Sequence, residues 1–143
     1  PEGRFHRSGQ KALYASLTAQ GAGVALGYYL RDDAPQTMVT MQLQSKRIVD
    51  ATDPQIASQL GFDIADTAWP WQDDRRENIC PRTWTVSDRA REIGADGMNL
   101  RSSQQPHLHH IVLFHWNING STSIIRTNMS VPWPPMCPSQ QPP

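Results

Sequence analysis

Alternating apolar and polar residues predict most of the strands in this chain. Residues 36–44 alternate most regularly, with Val39, Met41 and Leu43 on one face and polar residues on the other, which is typical of a half-buried strand. Shorter runs predict three further strands, at residues 12–16, 47–50 and 97–102. The strand at residues 47–50 is expected to pair beside the strand at residues 36–44.

One strand of a different kind lies in the C-terminal half. Residues 110–116 have a continuous apolar centre, which is typical of a strand covered on both faces. Asn119 and Gly120 follow it and form a strong hairpin-turn signal. Residues 121–128 are therefore predicted to return beside residues 110–116.

Capping residues and helical spacing predict two or three helices. Thr18 can cap a helix that runs to about residue 30. This helix contains three glycines, each of which weakens it by roughly 1 kcal/mol relative to alanine, so we expect it to pack closely against backbone or ligand. Asp53 and Pro54 begin a helix that Gly61 ends, and Thr85 begins another in a capping-box arrangement with Asp88.

The remaining segments lack periodicity. Residues 32–35 are predicted to form a turn, and residues 62–82 a surface loop with tryptophan anchors. Residues 131–143 contain six prolines and are expected to form a disordered tail after a single domain at residues 1–130. Strands mixed with two or three helices and long connections predict an α+β fold with a bent or split sheet.

Composition narrows the class of protein. The 13 basic and 13 acidic residues give a formal net charge of zero, so the chain lacks the cations that direct nucleic-acid binding needs. No apolar run approaches the roughly 20 residues that span a bilayer, and no signal-peptide pattern is visible, so we expect no membrane partner and a cytoplasmic location. The chain begins with proline, and we expect natural N-terminal residues to be missing.

Cysteine and histidine do not predict a metal site. Cys80 and Cys137 are far apart and are expected to be free thiols in a reducing compartment. His107, His109 and His110 suggest a metal site, and His107 and His109 would point the same way in an extended segment, but neither cysteine nor carboxylate lies near them. We therefore expect no bound metal.

Two segments together resemble the RES domain, a family named for an arginine, a glutamate and a serine. The first is Gly3-Arg4-Phe5-His6-Arg7-Ser8-Gly9-Gln10 followed by Ala12-Leu13-Tyr14-Ala15-Ser16. The second runs from Thr83-Trp84 through Gly94-Ala95-Asp96-Gly97 and Leu100-Arg101-Ser102 to Ile111-Val112-Leu113-Phe114. Their order and spacing match the family over residues 3–117.

The resemblance implies a function. Members of the family are typically toxins of bacterial toxin–antitoxin pairs, with a fold similar to that of ADP-ribosyltransferases and with NAD as substrate. Some members destroy NAD, and others transfer its ADP-ribose to an acceptor protein. The usual partner is a cognate antitoxin that covers the active site.

The resemblance also implies site residues. Arg4, Tyr14 and Ser102 match the family's catalytic arginine, tyrosine and serine, with Ser103 as the alternative serine. His6 and Arg7 are expected to border the NAD site beside Arg4. An arginine fork can grip pyrophosphate, an aromatic ring can stack on nicotinamide, and a hydroxyl can bond the amide or the ribose.

The family glutamate is missing. It should lie eleven residues after Tyr14, where this chain has Ala25. Gln20 is the nearest polar residue on that helix, and Asp32, Asp33 and Asp96 are the acids that could substitute. Two hypotheses follow: an enzyme that cleaves the nicotinamide–ribose bond, or a RES-fold binding protein that has lost turnover but retains NAD or antitoxin binding.

Overall fold

Six strands and four α-helices occupy the part of the chain that the computed structural model describes, residues 1–29 and 36–133. In chain order the elements are β1 (Leu13–Ser16), α1 (Ala19–Tyr29), β2 (Gln36–Gln44), β3 (Ile48–Asp50), α2 (Pro54–Leu60), a 3-10 helix (Ile64–Ala68), α3 (Trp71–Arg76), α4 (Arg82–Glu92), β4 (Gly97–Arg101), β5 (His109–Leu113) and β6 (Ser123–Trp133).

The strands form two sheets. A four-stranded sheet has the order β1-β5-β4-β3, in which only β3 and β4 are parallel. A separate antiparallel pair joins β2 and β6, with an irregularity in the pairing between Val39 and Met41. The predicted α+β fold with a split sheet is confirmed.

The four-stranded sheet is the middle layer because both of its faces are covered. Side chains alternate between the two faces of a strand, so Met98, Leu100 and Val112 share one face and pack with Val86 and Ala90 of α4. The other face meets the second sheet, where three buried residues form the contact, Ile111, Leu113 and Ile124. A group of polar residues that includes Tyr14, Ser16 and His110 lies on the α4 side, at the edge formed by β1.

Local capping explains the helices that the sequence predicted best. The side chain of Asp53 accepts a hydrogen bond from the Gln55 N–H at 2.8 Å, and Gly61 ends α2 with φ 77°. Thr18 caps α1, because its Oγ1 accepts from the Gly21 N–H at 3.0 Å. A Cβ atom on Gly21 would lie 3.4 Å from the Cβ atom of Ser16, so α1 packs closely against β1 as expected.

The predictions for residues 62–92 were partly wrong. Helix α4 begins at Arg82 behind Pro81, not at Thr85, because proline's fixed φ suits a helix start without a side-chain cap. The segment predicted as one loop contains the 3-10 helix and α3. Asp63 begins the 3-10 helix by accepting from the Ala65 N–H at 2.9 Å.

Two strand pairings were also wrong. Strand β3 pairs with β4 rather than with β2, and β6 pairs with β2 rather than returning beside β5. Thr122 explains the second difference: its N–H and Oγ1 bond the Asp96 carboxylate at 2.8 and 3.1 Å, and its Oγ1 accepts from Lys46 N. These bonds hold the chain at the start of β4 and direct it toward β2.

The C-terminal strand is longer than predicted. Strand β6 continues past Asn128 to Trp133. Residues 134–143, with Cys137, and the predicted turn at residues 32–35 lie outside the described residues. No helix in the described ranges is long and apolar enough to cross a membrane.

Candidate active site

A tight turn at the N-terminus presents the family-like arginine. The Gly3 N–H donates to the His6 carbonyl at 3.0 Å, and the His6 N–H donates back to the Gly3 carbonyl at 3.4 Å. Arg4 and Phe5 therefore occupy the corner of the turn. Phe5 is buried in the core, which fixes the turn against the sheet and leaves Arg4 partly exposed.

One stripe of α4 holds this turn in place. Trp84 Nε1 donates to the Gly3 carbonyl at 2.8 Å, and Arg91 Nη1 donates to the Phe5 carbonyl at 2.9 Å. Asp88 lies between them along the helix and forms an ion pair with Arg7. Spacings of four and three residues place these three side chains on one helix face, so α4 acts as the support for the turn.

Tyr14 joins the turn to β1. Its hydroxyl accepts from the Phe5 N–H at 3.0 Å and lies 2.9 Å from His6 Nδ1. A Cβ atom on Gly3 would come within 2.4 Å of the His6 ring and 3.0 Å of the Tyr14 hydroxyl oxygen, so a side chain at position 3 would displace the His6 ring. Burial, and then the charge of Arg91, lowers the pKa of His6, which favours a neutral imidazole beside the phenol.

Ser16 and His110 form a second polar pair on the same sheet face. They are cross-strand partners of β1 and β5, and Ser16 Oγ lies 2.7 Å from His110 Nδ1. Ser16 is two residues after Tyr14, so alternation along β1 places both side chains on one face.

Arg4 completes this group of residues. Its Nη1 donates to the Trp69 carbonyl at 2.9 Å, which uses one of the five N–H donors of a guanidinium. Burial lowers the pKa of His110, and the positive charge of Arg4 lowers it further, so these two side chains are electrostatically coupled. Arg4, His6, Tyr14, Ser16 and His110 are called the N-terminal site below.

The other predicted site residues have different surroundings. Arg7 is engaged by Asp88, and its guanidinium also lies 4.8 Å from the Trp84 ring centroid. Hydrogen bonding to Asp88 raises the pKa of Arg7. These contacts make Arg7 part of the support for the turn.

The predicted serine lies at the end of β4. Ser102 is buried, and its Oγ accepts from Gln104 N at 3.3 Å and Gln105 N at 3.2 Å. It continues the alternation of Met98 and Leu100 and so shares the sheet face of His110. Ser103, the alternative, is exposed. The structure thus brings Arg4 and Tyr14 together and places Ser102 farther along the same face, with its hydroxyl bonded within a turn.

The acids proposed as substitutes for the family glutamate are not available in the described residues. Ala25 is half-buried on α1, and Gln20 is exposed near the start of that helix. Asp96 lies at the opposite end of β4 from Ser102 and is bound by Arg47 and Thr122. Although burial acts to raise the pKa of Asp96, these hydrogen bonds outweigh it and hold the pKa below its ordinary value. Asp32 and Asp33 lie outside the described residues.

The C-terminal histidines diverge. His107 is exposed, His109 Nδ1 lies 3.2 Å from Asn99 Oδ1, and His110 faces Ser16 across the other side of β5. Within residues 1–29 and 36–133, no three side chains of histidine, cysteine, aspartate or glutamate come together as a metal site. His115 is exposed, and the Asn117 side chain bonds the Ile124 backbone, which is a structural role.

Sequence reasoning assigned no role in the site to Ser16 or His110. They are 94 residues apart, and only the pairing of β1 with β5 brings them together. A local signal was present in the Tyr14-Ala15-Ser16 segment, whose alternation places the serine on the face of the tyrosine. His110 stands at the predicted start of a buried strand, and neither that position nor the neighbouring histidines connect it with Ser16.

A comparison with protein families gives a match over most of the chain. The model of the RES domain matches residues 1–134 of the 143 in the chain. The match includes both segments that form the N-terminal site and the elements that support them. No curated protein and no solved structure matches the chain at a significant level. On the extent of the family match, the chain belongs to the RES-domain family.

Proposed function

We propose that the chain binds NAD at the N-terminal site and cleaves its nicotinamide–ribose bond, as a glycohydrolase or an ADP-ribosyltransferase. The RES-domain family is related to NAD. The observation that carries the proposal is that the Tyr14 hydroxyl on β1 binds the turn that presents Arg4, through Phe5 N and His6. A fixed cation and a fixed ring are what a pyrophosphate and a nicotinamide require.

The chemistry of each group supports this assignment. Arg4 retains N–H donors beyond the one bonded to Trp69, and a guanidinium fork matches phosphate oxygens. Tyr14 is 48% exposed, and an aromatic ring at the surface of the site suits nicotinamide, which binds aromatic side chains by stacking. Ser102, as the family serine, would bond the amide or ribose after a rearrangement of its turn.

Bond cleavage creates positive charge on the ribose, and enzymes stabilise such charge with preorganised groups. A missing group of this kind commonly costs roughly 10²–10³ in rate. Because Ala25 occupies the glutamate position, we propose a slow enzyme.

The alanine also favours the second candidate function, a binding protein without turnover. Such a protein would keep the turn, the NAD contacts and the antitoxin surface but would not break the bond. It differs from the enzyme in one measurable quantity, the release of free nicotinamide.

Incubation of the purified chain with NAD separates the two functions. Free nicotinamide is followed over time, and NAD affinity is measured by calorimetry on the same preparation. Release above a no-protein control supports the enzyme, and binding without release supports the binding protein. Failure of both would contradict the assignment of NAD to this site.

We further propose that a cognate antitoxin covers the N-terminal site inside the cytoplasm. Tyr14 of the site and its neighbour Leu17 are 48% and 56% exposed. A partner that covered them would bury apolar surface. Under this proposal an antitoxin abolishes nicotinamide release in proportion to its occupancy. An acceptor protein, if one exists, would gain mass as nicotinamide appears.

A further inference from the structure

A hydroxyl–imidazole pair lies where the site lacks a carboxylate. Ser16 Oγ and His110 Nδ1 are 2.7 Å apart, which is a short hydrogen bond between uncharged groups. Both side chains are half-buried and share the sheet face of Tyr14.

The groups around His110 are basic or neutral. Arg4 of the N-terminal turn and His109 of β5 itself are the charges that act on it. Strand β1 presents Tyr14 and Ser16, and β4 presents Leu100 opposite His110. The charged residue next on β4, Arg101, donates to the Pro106 carbonyl at 3.1 Å.

Two acidic residues, one on α4 and one just before β4, are engaged by arginines. Asp88 binds Arg7, and Asp96 binds Arg47. The first turn of α1, which follows β1 directly, contains no acidic residue. His110 is therefore a base without a carboxylate partner among the described residues.

We propose that His110 is the general base of the N-terminal site and that Ser16 is the residue that positions its imidazole. The inference rests on the proposed function and deepens it by naming the proton acceptor. In this role the His110 Nδ1–H donates to Ser16 Oγ, which leaves the lone pair on Nε2 for proton transfer.

The reaction step balances with water as acceptor. The water oxygen forms a bond to the ribose C1′ while the bond from C1′ to the nicotinamide nitrogen breaks. The bonding pair leaves with nicotinamide, and the water proton passes to His110 Nε2 and then to solvent. NAD⁺ and water give ADP-ribose, nicotinamide and one proton.

Burial and the Arg4 guanidinium suit His110 to this task. Burial, Arg4 and His109 each lower the pKa of His110 below 6.5, so the imidazole is neutral and able to accept a proton at pH 7. A neutral base also avoids placing a fixed negative charge beside Arg4, where it would compete with the pyrophosphate for the guanidinium.

The test is the pH dependence of nicotinamide release by the full chain and its variants. In the wild type, kcat falls on the acid side with an apparent pKa below 6.5. His110→Gln lowers kcat about 100-fold or more, leaves KM within about twofold and removes the acid limb. His109→Gln is the matched control, since its side chain lies on the other face of β5: it keeps kcat on the alkaline side, and the loss of its effect on His110 only moves the acid limb to slightly higher pH.

Two further variants separate chemistry from structure. Added imidazole restores part of kcat in His110→Ala, which a purely structural role would not allow. Ser16→Ala lowers kcat by about tenfold and moves the acid limb, and Ser16→Thr restores both because it keeps a hydroxyl.

The outcomes distinguish the inference from the function on which it rests. An active wild type whose His110→Gln variant keeps both kcat and the acid limb overturns the inference and leaves the proposed function standing. A wild type that releases no nicotinamide overturns both. If His110→Gln does not fold, the wild-type profile decides, because a kcat independent of pH on the acid side also overturns the inference.

Discussion

Replacement of Arg4 by alanine should weaken NAD binding far more than replacement of a comparable arginine. Arg4 gives one N–H to the Trp69 carbonyl at 2.9 Å, which fixes the guanidinium plane and leaves its other donors for a ligand. A hydrogen bond to a charged group contributes about 1.5–3 kcal/mol. Loss of one such bond to pyrophosphate therefore raises Kd by roughly 10- to 150-fold.

Arg101 provides the control for this experiment. It also donates one N–H to a backbone carbonyl, that of Pro106 at 3.1 Å, but its side chain is exposed on the other sheet face. NAD affinity is measured by calorimetry at fixed salt for the wild type, Arg4→Ala and Arg101→Ala. Arg4→Lys keeps the charge and loses the planar fork of the guanidinium. Its NAD affinity should therefore lie between those of Arg4→Ala and Arg101→Ala.

Arg7→Ala provides a second comparison of NAD affinity. Because Asp88 already binds its guanidinium, Arg7→Ala should weaken binding less than Arg4→Ala and act through the stability of the turn. Equal affinities for Arg4→Ala and Arg101→Ala would refute this reasoning, and so would a larger loss in Arg7→Ala.

Four further predictions concern stability and turnover. Asp96→Ala should lower the free energy of unfolding by about 3 kcal/mol, because two buried donors of Thr122 lose their acceptor; chemical denaturation measures it. Since the pKa of Asp96 is lowered on folding, its contribution is present above the unfolded pKa and is lost as pH falls through the folded pKa, so the wild type should lose more stability in acid than Asp96→Asn. Tyr14→Phe should lower the free energy of unfolding by about 1–2 kcal/mol, measured by thermal denaturation, since the Phe5 N–H loses its acceptor. The phenylalanine ring should still stack on NAD. Ala25→Glu should raise nicotinamide release, and no gain would show that position 25 does not face the reacting ribose.

Features encoded by a few adjacent residues were predictable from the sequence. Asp53, Pro54 and Gly61 define α2 through contacts within one or two turns, and Thr18 caps α1 in the same way. The alternation of residues 36–44 predicted β2 with its bounds. The order and spacing of two segments, residues 3–16 and residues 83–114, sufficed to identify the family.

Features that depend on distant contacts were not predictable. Asn119-Gly120 predicts a hairpin that would pair β6 with β5. The Asp96 carboxylate instead binds Thr122, and β6 pairs with β2. No local pattern reports a carboxylate 26 residues away. Arg4 and Arg7 look equivalent in the sequence, and only the position of α4 beneath the turn distinguishes the partly available guanidinium from the one bound to Asp88.

The Ser16–His110 pair is the same kind of case. Its two residues meet only because β1 and β5 pair in one register, Ser16 opposite His110. A shift of that register by one residue would move each side chain to the other face.

The most direct test of the account is a crystal structure of the chain with a non-cleavable NAD analogue. We predict pyrophosphate oxygens within hydrogen-bonding distance of the Arg4 guanidinium and the nicotinamide ring against Tyr14. An analogue bound elsewhere, with Arg4 and Tyr14 untouched, would contradict the central claim that this turn is the NAD site.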